Sequence, residues 1–194
     1  RRQRQMCIRD RKRIIREEDN PLASIQITTN YCFEKVIRAC AEVPRHQEFD
    51  GAWISEEIIE AYTELHKQGI AHSFETWQDG KLVGGLYGVR LGQIFCGESM
   101  FSTESQASRI AFSHAVNFLS NQGIKLIDCQ QDSEYLRSLG ATLIPRGDYE
   151  FYLHQLSHQS QTEAWPAGRI SFNGHYIQEH DLSDNKQIVS FARS

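Results

Sequence analysis

The 194-residue chain, with 40% hydrophobic and 24% charged residues, is sized for one ordinary globular domain with a substantial core. Its 13 glycines and 4 prolines exclude collagen-like and low-complexity architectures, no apolar run approaches the about 18 residues that span a bilayer, and the basic N-terminus lacks the apolar stretch of a secretory leader. Residues 1–18 carry eight basic and three acidic groups, while the remainder holds 13 basic and 22 acidic. An acidic body has no overall field that draws nucleic acid, so any RNA contact is expected at a local site. Five cysteines (Cys7, Cys32, Cys40, Cys96, Cys129), odd in number and without a CxxC pair, predict a reduced, cytoplasmic protein. His154 and His158 lie one helical turn apart, but no carboxylate or cysteine stands at ligand spacing beside them, and no metal site is expected.

The run Arg1–Arg16 has neither helical nor strand period and reads as a basic arm, 1–19, that need not be native. Asn20-Pro21 marks a turn, and the alternation of Ile25, Ile27 and Thr29 predicts a strand. Phe33, Val36, Ile37 and Cys40 fall on one helix face, which Pro44 closes. Ser55 is placed to cap a helix carrying Ile58, Ile59 and Tyr62, ending at Gly69. A three-strand antiparallel meander follows: Ala71–Gln78, a turn at Asp79-Gly80, Lys81–Val89, a tight connection at Gly92, then Gln93–Ser99. The spacing then predicts a long helix over Ser105–Asn121, a buried strand over Lys125–Gln130, a short helix over Ser133–Leu139, a strand over Thr142–Pro145 and a helix over Glu150–His158. The polar tail, 159–194, carries a hairpin pattern, Arg169–Phe172 and His175–Gln178 about an Asn173-Gly174 turn, and a third strand pattern at Gln187–Ala192. This order predicts an α+β domain over 20–158, with helices packed on a mostly antiparallel sheet.

Three segments carry chemistry. Gly84, Gly85, Gly88 and Gly97 fall inside strands, where glycine weakens packing; a bulge, a close ligand approach or a strongly bent sheet edge would each account for them. In Phe95–Ser102, strict alternation places Phe95, Gly97 and Ser99 on one face and Cys96, Glu98 and Met100 on the other. Glu98 is then either a buried carboxylate needing a partner or a solvated edge group. Asp128 and Gln130, two apart in Leu126–Gln130, are expected on one strand face. There they either orient a nucleophile and pass a proton, or cap the next helix, a task for which Asp132 and Ser133 are better placed.

Taken in order, GGLYGV (Gly84–Val89), FCGESMFS (Phe95–Ser102), LIDCQ (Leu126–Gln130), SLGA (Ser138–Ala141) and IPRGDY (Ile144–Tyr149), with Trp53 and the helix end LHKQGIAHSFE, resemble the bacterial leucyl/phenylalanyl-tRNA–protein transferases over about Asn30–Leu153. The resemblance implies a GNAT-like (acetyltransferase-like) fold. It also implies transfer of Leu or Phe from aminoacyl-tRNA to the α-amino group of a protein beginning with Arg or Lys, the N-end-rule tag for degradation, without a metal or acetyl-CoA. By motif it assigns Asp128 and Gln130 as the catalytic pair, Glu98 to positioning the ester-linked aminoacyl end, Leu86 and Phe95 to the pocket for the Leu or Phe side chain, and Trp53 and Ser102 to the terminal adenosine. Ser133 and Tyr135 stand where the family has Asn and His, and the family's smaller N-terminal domain is expected to lie outside this sequence.

The alternatives are a coenzyme-A-dependent N-acetyltransferase and a homologue that binds peptide or tRNA ends without turnover. The first needs a glycine-rich pyrophosphate turn, (Q/R)xxGx(G/A), before a helix. MFSTESQ, which precedes the long helix, has no glycine, and RSLGAT precedes a strand.

Overall fold

Turn chemistry sets the centre of the molecule. Asp79 (φ 50°) and Gly80 (φ 74°) both adopt left-handed backbone, the requirement of a tight two-residue hairpin. They join strands β3 (Ala71–Gln78) and β4 (Lys81–Leu91), and Gly92 turns β4 into β5 (Ile94–Ser102). The computed structural model describes residues 4–6, 25–42, 54–159 and 164–177. Trp53, Pro44, the Gln187–Ala192 segment and most of the basic N-terminal run lie outside these residues.

The remaining strands are β1 (Arg4–Met6), β2 (Ile25–Thr29), β6 (Leu126–Asp128), β7 (Ala141–Leu143) and β8 (Gly168–Arg169). They complete one eight-stranded sheet in the order β7-β1-β6-β5-β4-β3-β2-β8. Every neighbouring pair is antiparallel except β5 and β6, which are parallel. A parallel pair needs a crossover, here helix α3 (Ala107–Asn121). The α+β architecture expected from the element order is what the fold shows. Arg4–Met6, read in sequence as part of a basic arm, is a strand between β6 and β7.

Both faces of the central strands are covered. Helices α1 (Phe33–Glu42) and α2 (Glu56–Lys67) bury Val36, Ile37, Cys40 and Ile59 against Ala71, Tyr87 and Phe101. On the opposite face α3 buries Ala111, Phe112, Ala115, Phe118 and Leu119 against Ile27, Phe74, Leu86 and Phe95. This double burial is why β3 is buried over its first six residues, although its sequence, AHSFETWQ, does not alternate. Glu75 accepts hydrogen bonds from the Thr28 and Ser73 hydroxyls and from the Cys32 backbone N–H at the start of α1. Burial nevertheless pushes its carboxyl above the usual range. Ser55 occupies the N-cap position of α2, but its hydroxyl donates to Glu57 (2.6 Å) instead of accepting from the helix backbone.

Protein packing explains three of the four strand glycines, Gly84, Gly85 and Gly88; Gly97 has room for a Cβ, 3.6 Å from Asp128 O. A Cβ on Gly84 would stand 2.7 Å from Ala107 Cβ, so Gly84 lets α3 sit down on the sheet. Gly88 lies at a register shift, and a Cβ there would meet Cys96 O at 2.3 Å. Helix α5 (Arg146–Ser157) begins a turn earlier than periodicity predicts, directly after Pro145. The tail hairpin is present over the described residues. Ile170 bridges Tyr176, Gly174 turns the chain at φ 75°, and Trp165 and Ile170 are buried in the main core against α3.

Candidate active site

The parallel pair sets the position of the site. β5 and β6 pair at Ile94–Leu126, Phe95–Ile127 and Cys96–Asp128, and β6 then ends while β5 runs on for six residues. A cavity of about 420 Å³ opens beside this divergence. Its apolar walls are Leu86, Phe95 and Ile127 from the sheet and Phe112, Ala115 and Leu119 from α3; Glu98, Gln130 and Tyr135 supply polar groups.

A β-bulge delivers Glu98 to that lining. Gly88 pairs with Gly97, and Tyr87 with Ser99, so Glu98 is an extra residue on β5. The extra residue breaks the alternation expected over Phe95–Ser102. Met100 pairs with Leu86 and packs in the same cluster as Phe95, not on the opposite face. The expected face assignment is thereby corrected, because one unpaired residue inverts every side chain beyond it. The Glu98 carboxylate faces the Gln130 amide and the Tyr62 hydroxyl, and burial raises its pKa against the opposing effect of these two polar neighbours. Tyr62 in turn is pushed up to about 12, by burial first and the facing Glu98 charge second.

Asp128 is 4% exposed and sits behind the wall, not on it. Its Oδ1 accepts the Gln130 backbone N–H (2.8 Å) and its Oδ2 accepts the Tyr149 hydroxyl (2.8 Å). The expectation that Asp128 and Gln130 project from one strand face is corrected. The strand stops at Asp128, and Gln130 adopts left-handed backbone (φ 57°), which ends the two-residue period. They are joined through the backbone of Gln130, whose side chain reaches the cavity and Glu98. Capping of the next helix, α4 (Glu134–Ser138), falls to Ser133, whose hydroxyl accepts the Leu136 N–H (3.2 Å), while Asp132 pairs with Arg137.

Leu86 and Phe95 line the cavity. Ser102 does not: its hydroxyl donates to Glu104 O (2.7 Å) and accepts the Ser108 N–H (3.2 Å), tying down the start of α3. Trp53 lies outside the described residues. Sequence reading gave no role to Tyr62 or Tyr149. Tyr149 stood in a quoted motif and Tyr62 on a predicted apolar helix face; their contacts with Glu98 and Asp128 span 36 and 21 residues and have no sequence signature. Cys96 and Cys129 border the site with thiols pushed up to about 12 by burial and the Asp128 charge, and so stay protonated. The His154 and His158 rings lie 5.6 Å apart and tilted at 51°, and His158 Nδ1 lies 3.1 Å from His154 O.

The model of the leucyl/phenylalanyl-tRNA protein transferase family matches residues 4–168, wider at both ends than the motif resemblance. The chain belongs to this family. Among its relatives, the leucyl/phenylalanyl-tRNA–protein transferase of Cupriavidus taiwanensis is 44% identical over 154 residues, 79% of this chain and 59% of that protein. Those of Hydrogenovibrio crunogenus and Chromobacterium violaceum are 50% and 54% identical, over 69% and 62% of this chain and 52% and 51% of their own lengths. The chain thus spans little more than half the length of these curated relatives. Among the described residues, no helix is long and apolar enough to cross a membrane.

Proposed function

We propose that this chain transfers Leu or Phe from the 3′ end of aminoacyl-tRNA to the α-amino group of a protein beginning with Arg or Lys, in the cytoplasm. One observation carries the reading: a cavity of about 420 Å³ with one apolar wall and a polar lining that includes a facing carboxylate and amide, Glu98 and Gln130, with Asp128 buried behind it.

The chemistry asks little of the side chains beyond placement. The tRNA ester is already activated. The acceptor amine, with a reference pKa of about 7.7–8.0, is substantially neutral at physiological pH. Its nitrogen attacks the ester carbonyl, a C–N bond forms, the C–O bond to the ribose breaks, and the proton lost by nitrogen ends on the departing ribose oxygen. Gln130 is placed to hold the amine by hydrogen bonding, with Asp128 fixing the backbone that presents it. Glu98 orients the aminoacyl end. Holding amine and ester together supplies up to roughly 7–11 kcal/mol in favourable cases. The Leu86, Phe95 and Ile127 wall admits apolar side chains and rejects charged ones through desolvation. Neighbouring apolar side chains are separated by only about 1–3 kcal/mol per methylene.

The test mixes the chain with Leu-charged tRNA and an Arg-initiated peptide and looks for the mass gain of one leucine. Gain abolished in Asp128→Ala and Gln130→Ala supports the reading. Gain only with acetyl-CoA replaces it with the acetyltransferase, and binding without gain replaces it with a non-turnover homologue.

A further inference from the structure

Gln130 holds an uncommon backbone. At φ 57° it lies in the left-handed region, which a residue with a Cβ keeps only when its surroundings hold it there. The described support for its N–H is Asp128 Oδ1, two residues back. Such a local bond is easily lost, because rotation of the aspartate side chain swings the carboxylate away. What stops that rotation comes from elsewhere in the chain. Tyr149, in the first turn of α5, is 6% exposed and packs with Ile94 and Leu126 from the sheet. Its hydroxyl donates to the other carboxylate oxygen, Oδ2, at 2.8 Å. With one oxygen on the tyrosine and the other on the Gln130 N–H, the carboxylate plane is fixed. Burial and the facing carboxylate push the tyrosine hydroxyl up, so it remains a donor throughout the neutral range.

We infer that Tyr149 is a positioning residue for aminoacyl transfer: through Asp128 it locks the left-handed turn at Gln130 and so holds the Gln130 amide at the cavity against Glu98. Tyr149 need not touch substrate. Its kinetic consequence rests on the transferase reading above; its structural consequence does not.

Two readouts on the full chain separate them. The first is amide hydrogen exchange followed by NMR. In Tyr149→Phe, which removes only the hydroxyl, the Gln130 N–H is expected to exchange at least about tenfold faster while the β3–β4–β5 amides are unchanged. Asp128→Ala, which removes both acceptor oxygens, gives the same selective release and serves if Tyr149→Phe does not fold. Unchanged Gln130 exchange, or faster exchange throughout the sheet, overturns the inference. The second readout is kinetic. Tyr149→Phe is expected to lower kcat about tenfold with the donor KM within twofold, and to have no further effect in an Asp128→Asn background. Equal, additive losses in the two backgrounds overturn the inference even where transfer is confirmed. Selective release of Gln130 in a wild-type chain that transfers nothing removes the transferase reading and leaves the lock.

Discussion

Glu98 combines two properties that a substitution series can separate: a carboxylate charge, and the acceptor oxygens that face Tyr62 and Gln130. Glu98→Gln keeps an acceptor and removes the charge. Glu98→Ala removes both. The alanine variant is expected to weaken donor binding at least about tenfold and the glutamine variant by only a few-fold, read as the KM for charged tRNA. Away from the site, His72 is 2% exposed and accepts from Asn30 at Nδ1, and burial holds its pKa down at about 3 against an ordinary 6.5. As pH falls, the unfolded chain takes the proton first. The stability tied to His72 is therefore complete above about pH 6.5 and is lost, by up to about 1.4 kcal/mol per pH unit, between there and about pH 3. Chemical denaturation across that range should show a shallower acid slope in His72→Gln than in the wild type, whatever its absolute stability. Burial at position 72 has no sign in the sequence, because β3 mixes polar and apolar residues along its whole length.

At the scale of elements, glycines that look alike in sequence behave differently. A Cβ on Gly84 meets Ala107 Cβ at 2.7 Å and the Ser108 backbone at 2.9 Å, whereas one on Gly97 meets only Asp128 O at 3.6 Å. Gly84→Ala is expected to destabilise by about 1–3 kcal/mol by lifting α3 from the sheet, and Gly97→Ala to be nearly neutral, as measured by urea midpoints. Helices α1 and α2, the hairpin at Asp79-Gly80 and the meander were legible because periodicity and turn residues are local signals. The strand glycines pointed to a bulge as one of three readings, but its position at Glu98 was not legible, because it is defined by what lies opposite on β4. Nor was the end of β6 at Asp128: the residues LIDCQ continue a strand pattern, and only the divergence from β5 leaves Gln130 free to turn.

On the scale of the whole molecule, the described tail belongs to the core. Trp165 is 5% exposed and stacks edge-on against Phe118, and Arg90 lies 4.5 Å over its ring. Tyr176 packs against the same Phe118, and Asn117 donates to Phe172 O (2.7 Å). Trp165→Ala is expected to cost about 3–5 kcal/mol, and a chain ending at residue 163 to lose cooperative thermal unfolding; a truncation with wild-type Tm would refute this. The apolar residues of this segment are interrupted by Pro166, Gly168, Asn173 and Gly174 and show no sustained period, so its attachment to α3 could not be read from hydrophobic pattern.

The amino-acid order by itself determined the α+β class, the meander, the glycine-rich centre and, through FCGESMFS and LIDCQ, the family, because these depend on residue types and short spacings. The tertiary structure alone decided that Glu98 reaches the cavity by a bulge, that Asp128 stands behind Gln130 and not beside it, and that Tyr62 and Tyr149 complete the polar cluster. Those facts arise where strands pair, diverge and meet helices, and contacts between residues 21 to 36 positions apart are set by packing, which no local period encodes.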